Sequence, residues 1–539
     1  MDRRSFLGFG PLAMASALSR MGLAISNLQE TENAEPSPVV ETTAGKIRGV
    51  RTGKVCIFKG VPYGASTAGA RRFLPPTKPE PWPGVRDAVT LGHRSPQSAS
   101  TLIPEVAALD LQEPAGEDCL VLNVWTAGPG EASKRPVMVW LHGGGYTAGS
   151  GGYVLYDGAN LASKHDVVVV TLNHRLNVFG FLYLPEIGGG KYASASNVGM
   201  LDIVTALEWV RDNIAGFGGD PANVTLFGQS GGGGKVSTLM AMPSAKGLFH
   251  RAVVESASAI KGVPRADATK SAAEYMAKLG LKEGDVDDLQ KLSVDQLVVG
   301  MGSAGGAPNS SLRLAPVVDG HTLPTDPFDP VAPEISSSVP LLIGSVETEV
   351  TFFRGQQLDP IDDADLRTRV KQAAHADDAK VDHLIAAYRK GRPGFSNIDL
   401  YLILASDVAF RQGVLTEAER KAAAGKAPAY MYYFTWRTPV RDGKLKTLHT
   451  LEIPFVFGNV DLAKSMTGSG EDRYALEDKI STAWVAFARS GNPNHKSLPH
   501  WPAFNETQRA TMVLNNECKV VNDPNGEERL ALRAVESTG

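Results

Sequence analysis

The sequence predicts an α/β fold with a large, mostly parallel central sheet and helices on both of its faces. Two observations support this fold class. Apolar, β-rich runs recur at VMVWL (137–141), VVVVTL (167–172), VTLF (224–227), AVVES (252–256), PLLIGS (340–345) and YMYYFTW (430–436). Helix-like stretches such as residues 200–214 lie between many of them. Strands that are apolar throughout and alternate with helices are typical of a parallel sheet buried on both faces.

The more polar segments between these runs predict additions to the sheet. Residues 260–338 and 354–425 combine helical periodicity with Gly and Pro interruptions. We expect them to be helical insertions that shape a substrate cleft, since segments outside the scaffold often carry function. No repeat of about 20–50 residues is evident, which argues against a solenoid or a propeller. Residues 39–539 are therefore predicted to form a single catalytic domain.

Composition narrows the class of protein. The chain has 539 residues, of which 43% are hydrophobic, and a net charge of −4. This content supports a large buried core, and the small net charge gives no reason to expect nucleic acid or an anionic membrane as a partner. After the N-terminus, no apolar run approaches the roughly 18 residues needed to span a bilayer. Stable membrane insertion is therefore not expected.

The N-terminus has a different character. The sequence MDRRSFLG is followed by an Ala- and Gly-rich stretch that reaches about Ser26. The arginine pair Arg3-Arg4 before Phe-Leu resembles a bacterial twin-arginine export signal over residues 1–26, although an amphipathic leader or a chance match are alternatives. Residues 27–38 are polar, acidic and Pro-containing, and predict a disordered tether. The expected location is the periplasm or the medium.

The segment VTLFGQSGGGGK (224–235) contains the strongest catalytic signal. An apolar run ends in Gly228-Gln229-Ser230-Gly231-Gly232, and a helix-compatible stretch follows from Lys235. A serine with glycines two residues away on either side fits a strand–turn–helix elbow that exposes a nucleophile. The pentapeptide alone is a weak signal, and its strand and helix context strengthens it.

A second glycine cluster supports the same chemistry. Leu141-His142-Gly143-Gly144-Gly145-Tyr146 directly follows the apolar run 136–140. Three glycines after a strand leave backbone N–H groups unobstructed, as an oxyanion hole requires. A phosphate loop or a plain tight turn is the alternative, but the G-K-[ST] ending of a Walker loop is missing here.

Motifs along most of the chain resemble the type-B carboxylesterase family, a branch of the α/β-hydrolases that includes cholinesterases and bacterial para-nitrobenzyl esterases. The matching segments cover about residues 38–525. They include FKGVPYG (58–64), EDCLVLNVW (117–125), WLHGGGY (140–146), NHRLNVFGFL (173–182), residues 197–232, LFHRAVVESAS (248–258), APVVDG (315–320), HTLEIPFVFGN (449–459) and WVAFARSGNPN (484–494). The resemblance implies an α/β-hydrolase fold and hydrolysis of carboxylic esters through an acyl-enzyme.

The resemblance also implies a catalytic triad in the order serine, acid, histidine. His449 opens the segment that matches the family's catalytic histidine, although Thr450 replaces the family's usual Gly. Glu349 follows a strand-ending Gly by five positions, as the family's acid does, and Glu347 is the alternative. The predicted triad is therefore Ser230, Glu349 and His449.

The resemblance also assigns roles to other positions, and at some of them this sequence differs from the family's usual residue. Val350 and Gln229 stand where relatives usually have Gly and Glu. The implied oxyanion donors are the N–H groups of Gly144, Gly145 and Gly231. Four further charged residues are expected to be structural: Glu452, Asp202, Arg175 and Asp118.

Cysteines and cofactor motifs add little. The family pairs the Cys of its EDCL segment with an upstream Cys, but the upstream position here is Ser95, so Cys119 is expected to be a free thiol. No Cys/His cluster has metal-ligand spacing and no dinucleotide fingerprint occurs, so neither a metal nor a cofactor is implied.

The predicted substrate is a small-molecule ester that is not a choline ester. Choline recognition needs an aromatic face, and residues 92–118, where relatives place their Trp, contain no aromatic residue. Ser310 and Leu312 fall where cholinesterases place bulky aromatics, which suggests room for larger acyl groups, with Tyr146 as a further pocket residue. A non-catalytic binding protein and an acyltransferase or amidase are the alternatives. A monomer or a homodimer is expected.

Overall fold

A single mixed sheet of thirteen strands organises the protein. The structure, a computed structural model, describes residues 35–98, 102–111, 113–302, 312–353 and 358–536. The strands are β1 Glu35–Thr42, β2 Gly45–Thr52, β3 Val55–Pro62, β4 Val85–Asp87, β5 Val121–Thr126, β6 Arg135–Leu141, β7 Val168–Leu172, β8 Gly219–Gln229, β9 Arg251–Glu255, β10 Leu341–Val346, β11 Ala429–Phe434, β12 Ala510–Leu514 and β13 Lys519–Asn522.

The centre of this sheet is parallel and its flanks are antiparallel. The strand order is β1-β2-β3-β5-β7-β6-β8-β9-β10-β11-β12-β13, and β4 pairs with β2. Every pair from β7 to β12 is parallel, whereas the pairs from β1 to β7 and the last pair are antiparallel. The prediction of a large, mostly parallel central sheet is confirmed.

The strand order changes direction at β6, which has β7 on one side and β8 on the other. The chain leaves β6 towards one edge of the sheet and later returns to β8 on the opposite side. In open α/β sheets, ligands bind at the carboxyl ends of the strands at such a switch point. The glycine loop that follows β6 and the serine that follows β8 both lie there.

Helices cover both faces because successive strand side chains point in opposite directions. In β6, Val137 and Val139 belong to one buried apolar cluster, whereas Met138 and Trp140 belong to another. The helix Val198–Asn213 packs into the first cluster and the helix Asp472–Ser490 into the second.

The α-helices of the described residues range from 4 to 19 residues in length. Their bounds are Pro104–Ala107, Ala159–His165, Asn177–Phe181, Pro185–Gly188, Val198–Asn213, Gly231–Leu239, Arg265–Lys278, Val286–Leu289, Val294–Met301, Asp363–Ala374, Asp378–Gly391, Asn397–Ser406, Gln412–Ala424, Ile453–Phe457, Lys464–Thr467, Asp472–Ser490 and Gly526–Glu536. A π-helical turn spans Asp407–Arg411, and a 3-10 turn spans Glu349–Thr351.

The predicted insertion 354–425 is helical where the structure describes it. Three of its helices, Asp363–Ala374, Asp378–Gly391 and Asn397–Ser406, share a third apolar cluster with the C-terminal helix Gly526–Glu536, and Val350, just after β10, joins the same cluster. The insertion therefore packs directly beside the loop that follows β10. No helix of the described residues is long and apolar enough to cross a membrane.

The tether predicted for residues 27–38 is wrong at its C-terminal end. Residues 35–38 belong to β1, which pairs antiparallel with β2, and Ser37 is buried within it. The acidic, Pro-containing composition suggested disorder, but a strand at the edge of a sheet tolerates proline. The export signal predicted for residues 1–26 lies outside the described residues, as do residues 27–34.

Candidate active site

Ser230 lies on a strained elbow between β8 and the helix Gly231–Leu239. Its backbone has φ 57° and ψ −130°, a conformation that non-glycine residues rarely adopt. Neighbouring backbones leave no room for side chains: a Cβ on residue 232 would lie 1.9 Å from the carbonyl oxygen of Leu141, and one on Gly228 would lie 2.7 Å from Gly232. The glycines at ±2 are therefore required by backbone contact.

The helix begins earlier than the sequence predicted. It includes Gly231 to Gly234, whereas the prediction started it at Lys235. Glycine disfavours helices by its intrinsic propensity, so the four glycines give no helical signal in the sequence. Tertiary contacts override that preference, because a Cβ on Gly231 would lie 2.2 Å from the carbonyl oxygen of Gly145.

The glycine loop after β6 packs against this elbow. Gly144 and Gly145 have φ values of 87° and 63°, in the left-handed region that favours glycine. A Cβ on Gly143 would lie 3.3 Å from the Cβ of Ser230. Among the described residues, the backbone amides of Gly144 and Gly145 have no hydrogen-bond acceptor. Gly231 is the first residue of its helix, and so its amide has no intrahelical acceptor.

His449 and Glu349 form a buried pair on the loops after β11 and β10. The Nδ1 atom of His449 lies 2.5 Å from Oε2 of Glu349, and both side chains are almost fully buried. The other carboxylate oxygen of Glu349 accepts a hydrogen bond of 2.9 Å from the amide of Val346. The carboxylate is thus fixed by the end of β10, and it orients the imidazole.

The two departures near this pair differ in their effect on the backbone. Thr450, where relatives usually have Gly, adopts φ 78°, which is strained for a β-branched residue. Val350 lies inside the 3-10 turn Glu349–Thr351 and packs in the apolar cluster of the insertion. Only Thr450 therefore keeps the conformation that a glycine would favour.

Glu347, the alternative acid, is directed away from His449. Its carboxylate accepts hydrogen bonds from Arg392 at 3.1 Å and from Arg437 at 2.9 Å. These ion pairs occupy both of its oxygens, so Glu347 ties the loop to the insertion. Geometry brings only Glu349 to the histidine.

Gln229 contacts the imidazole from the side of Ser230. Its amide nitrogen lies 3.3 Å from Nδ1 and 3.3 Å from Nε2 of His449, and its amide oxygen is buried without a partner among the described residues. Among the described residues, no hydrogen bond within 3.5 Å joins Ser230 Oγ to the imidazole of His449. Hydrogen bonds between a nucleophile and its base are often long in unliganded enzymes and shorten when substrate binds.

Two more carboxyl groups lie buried beneath the pair. Ser256 donates a hydrogen bond of 2.7 Å to Glu452, and the indole of Trp484 donates one of 2.6 Å to Glu255. Burial, reinforced by the charge of Glu349, raises the pKa of Glu452 to about 7. Burial and the neighbouring Glu452 raise the pKa of Glu255 well above its usual range. The Glu255 carboxyl therefore holds its proton more tightly than an exposed glutamic acid does.

Sequence reasoning assigned Glu452 a structural role and did not single out Glu255. An acid in the apolar run AVVES was the available signal for Glu255, because an acidic residue inside a buried strand must be hydrogen-bonded or protonated. Among the other residues expected to be structural, Arg175 and Asp202 form a buried ion pair at 2.6 Å. No cluster of three or more His, Cys, Asp or Glu in the described parts of the chain is arranged to hold a metal.

Three phenylalanines surround His449. The ring centroids of Phe352 and Phe353 each lie 5.6 Å from that of the imidazole, and Phe410 lies 4.9 Å from it. Phe353 is 60% exposed. We call Phe352, Phe353 and Phe410 the aromatic collar. Phe410 belongs to the insertion, about 60 residues after Glu349, so no local pattern in the sequence identified it.

The predicted pocket residues occupy different surroundings. The ring of Tyr146 packs edge-on against Phe181 at 5.1 Å. Burial raises the pKa of Tyr146 to about 12, so its hydroxyl stays protonated. Leu312 is buried in the apolar cluster on one face of the sheet, and Ser310 lies outside the described residues. Cys119 is a free, buried thiol as predicted, and Ser95 accepts a hydrogen bond from the amide of Leu176.

Comparisons with known proteins agree with this geometry. The sequence profile described as the carboxylesterase family matches residues 36–532. The para-nitrobenzyl esterase of Bacillus subtilis is 37% identical over 508 residues, which cover 92% of this chain and 98% of that protein. A carboxylesterase structure from Geobacillus stearothermophilus has a TM-score of 0.80 at 36% identity, covering 92% of this chain and 99% of that one.

A further solved relative is an esterase from Clostridium hathewayi that can hydrolyse aliphatic aromatic polyesters. It has a TM-score of 0.77 at 32% identity, and the match covers 93% of this chain and 100% of that one. The chain belongs to the carboxylesterase family, within the α/β-hydrolase fold. It is a carboxylic-ester hydrolase.

Proposed function

We propose that Ser230, His449 and Glu349 form the catalytic triad of this esterase. The observation that carries the proposal is the buried His449–Glu349 pair, which lies at the same sheet edge as the Ser230 elbow. Because the Nδ1–H group of His449 donates a hydrogen bond to Glu349, Nε2 carries the lone pair that can act as a base.

The reaction proceeds in two acyl-transfer steps. The Ser230 oxygen attacks the ester carbonyl while Nε2 of His449 accepts the hydroxyl proton, and the carbonyl electron pair moves to oxygen. Collapse of this tetrahedral intermediate expels the alcohol, which receives the proton from His449. Water then attacks the acyl-enzyme with the same base, and the carboxylic acid leaves. Glu349 remains ionised and stabilises the imidazolium that forms in each step.

The oxyanion is held by the amides of Gly144, Gly145 and Gly231. Two of these donors come from the loop after β6 and one from the helix after Ser230. Donors fixed in advance towards developing charge stabilise the transition state without reorganising during the reaction. The close packing of Gly231 on Gly145 supports this assignment, because it brings the two sources of donors together.

The proposed substrate is an ester with a bulky, apolar acyl part and an uncharged alcohol. The aromatic collar around His449 offers apolar surface directly beside the reacting group. Polyester hydrolysis by the Clostridium hathewayi relative is consistent with a family site that accepts ring-bearing acyl groups. The segment 92–118, which contains no aromatic residue, argues against choline esters.

Labelling and a substrate panel test these proposals. A fluorophosphonate should label Ser230, and Ser230→Ala should abolish labelling; an unlabelled wild-type protein would favour a binding role. Benzoyl and long-chain acyl esters should exceed acetyl and choline esters in kcat/KM, and Phe410→Ala should reduce that preference. Faster hydrolysis of acetylcholine than of benzoate esters would contradict the substrate proposal. Product analysis with added alcohol or amine distinguishes hydrolysis from acyl transfer.

We also propose that residues 1–26 direct export of the protein by the twin-arginine route, to the periplasm or the medium. The exported enzyme is proposed to be a monomer or a homodimer. The support is the Arg3-Arg4 pair and the apolar stretch after it. Replacing both arginines with lysine keeps the charge and should leave the esterase in the cytoplasm, because the export machinery reads the arginine pair. Fractionation followed by activity assay measures this, and unchanged export of the Lys-Lys variant would contradict the proposal.

A further inference from the structure

Lys235 is a wholly buried lysine on the helix that begins at the nucleophile. It lies five residues after Ser230 and has no exposed surface. No carboxylate among the described residues forms an ion pair with it, whereas the buried Arg175 pairs with Asp202 at 2.6 Å. A buried cation without a counter-charge is costly, so its position calls for a reason other than fold stability.

The contacts of Lys235 point to the glycine loop. Its Nζ donates a hydrogen bond of 2.9 Å to the carbonyl oxygen of His142, the residue before Gly143. The same Nζ lies 5.8 Å from the ring centre of Tyr146, the residue after Gly145. One side chain therefore touches both ends of the segment 142–146, which we call the oxyanion loop.

Two hydrogen bonds hold the first residues of the oxyanion loop in place. Lys235 holds the carbonyl of His142, and Nδ1 of the His142 ring lies 2.8 Å from the carbonyl oxygen of Gly143. Burial and the Lys235 charge keep the pKa of His142 well below its usual range. Nδ1 is the donor in this contact, because a carbonyl oxygen can only accept a hydrogen bond. The two carbonyls that precede Gly144 are thus each fixed by a side-chain donor.

Stability of the helix does not explain the residue. A cation in the first turns of a helix opposes the helix dipole. Burial lowers the pKa of Lys235 to about 7, so the amine and the ammonium are both populated near neutrality. Both forms donate N–H, and the bond to the His142 carbonyl is available to either. A hydrogen bond, and not a permanent charge, is therefore the constant feature of this side chain.

We propose that Lys235 is a positioning residue that ties the oxyanion loop to the nucleophile helix. It sets the distance between the Gly144 and Gly145 amides on the loop and the Gly231 amide on the helix. Consecutive glycines are conformationally permissive, and a loop of them needs an external contact to hold its amides in one arrangement. A displacement of about 1 Å at such donors costs on the order of 100-fold in rate. This inference rests on the proposed oxyanion role of these three amides.

The test is Lys235→Met, which keeps an unbranched side chain, one atom shorter than that of lysine, and removes the donor. Turnover and inhibition by a trifluoromethyl ketone are both measured per active site titrated with a fluorophosphonate, so that unfolded protein does not count. The ketone forms a hemiketal on Ser230 whose oxyanion occupies the same site as that of the ester intermediate. We expect kcat and ketone affinity to fall together by about 10- to 100-fold, with KM little changed.

Two companion variants separate positioning from packing. Lys421 is the matched control: it is also buried, and its Nζ donates to the carbonyls of Ser336 and Ser337 at 2.9 Å each. Lys421→Met should lower the melting temperature, but the affinity for the ketone and the KM for the ester should both stay at their wild-type values. Lys235→Gln keeps an N–H donor on a shorter side chain, and it should lose less ketone affinity than Lys235→Met.

Several outcomes would overturn the inference. Lys235→Met with kcat and ketone affinity within about two-fold of the wild type would show that the residue only fills space. Equal losses in Lys235→Gln and Lys235→Met would assign the effect to charge. Failure of the underlying triad proposal is seen separately, because the wild-type Ser230 would then not react with the fluorophosphonate. If Lys235→Met does not fold, Lys235→Leu, which also lacks a donor, takes its place, and ketone affinity within about two-fold of the wild type in that variant overturns the inference.

Discussion

Gln229→Glu should move the acidic limb of the pH–rate profile to higher pH. In the wild type, turnover should fall at low pH because only neutral imidazole accepts the Ser230 proton. The Gln229 amide nitrogen lies 3.3 Å from both ring nitrogens of His449, so a carboxylate there would stabilise the imidazolium. His449 would then remain protonated up to a higher pH, so the midpoint of the acidic limb would lie at a higher pH than in the wild type.

The magnitude follows from this separation. At 3.3 Å and an effective dielectric constant of about 20, the attraction is about 5 kcal/mol. Removing a carboxylate from water opposes it by several kcal/mol. The buried Glu452 nearby, with a pKa raised to about 7, indicates that the new carboxyl would itself be partly protonated. About 1 to 2 kcal/mol remains, which corresponds to about one pH unit.

The assay is kcat/KM for one ester from about pH 5 to about pH 9, followed by product chromatography. The matched control is Gln229→Met, which removes the amide without adding charge and should show no upward shift. A Gln229→Glu midpoint equal to that of the wild type, or below it, would refute the reasoning. A shift of the same size in Gln229→Met would assign the effect to loss of the amide contact.

Three further expectations concern the triad and the elbow. Ser230→Ala should lower ester turnover by on the order of 10⁴ to 10⁶, with an unchanged circular dichroism spectrum, because covalent catalysis is lost while binding remains; retention of more than about a tenth of the activity would exclude Ser230 as the nucleophile. Glu349→Gln should lower kcat by about 10⁴-fold, because the imidazole loses its orienting carboxylate. Glu347→Gln, which only breaks ion pairs to arginines, should lower kcat far less, and equal losses would reassign the acid. Gly232→Ala would place a Cβ 1.9 Å from a backbone oxygen of β6 and should cost more than about 2 kcal/mol in thermal stability, whereas Gly190→Ala, whose Cβ would point into open space, should leave the melting temperature nearly unchanged.

The sequence predicted the scaffold well wherever apolar runs are continuous. All six of the runs singled out lie largely in strands, β6 to β11, and all six of these strands belong to the parallel centre of the sheet. The flanking strands were not foreseen, because β1 to β3 alternate or contain charged and Pro residues and so give a weak periodic signal. Edge strands depend on pairing with their neighbours more than on their own composition.

The site was predicted unevenly, for a physical reason. Ser230 and the glycine loop are local motifs whose backbone requirements are visible in the sequence. The choice between Glu349 and Glu347 depended on ion pairs with Arg392 and Arg437, which come from distant parts of the chain. The hydrogen bond between Lys235 and His142 also joins residues far apart in sequence, and no local sequence pattern predicts it.

The aromatic collar has a consequence for how this enzyme could change its substrate. Phe410 is carried by a π-helical turn within the insertion, whereas Ser230 follows a central strand of the sheet. Phe410, which we propose contacts the acyl group, and Ser230, the proposed nucleophile, are therefore encoded in separate stretches of the gene, whereas Phe352 and Phe353 are encoded beside Glu349. If the proposed roles hold, exchange of residues 358–425 between relatives should change acyl selection through Phe410 while leaving Ser230, Glu349 and His449 in place, so that recombination of this one segment would give new substrate preferences.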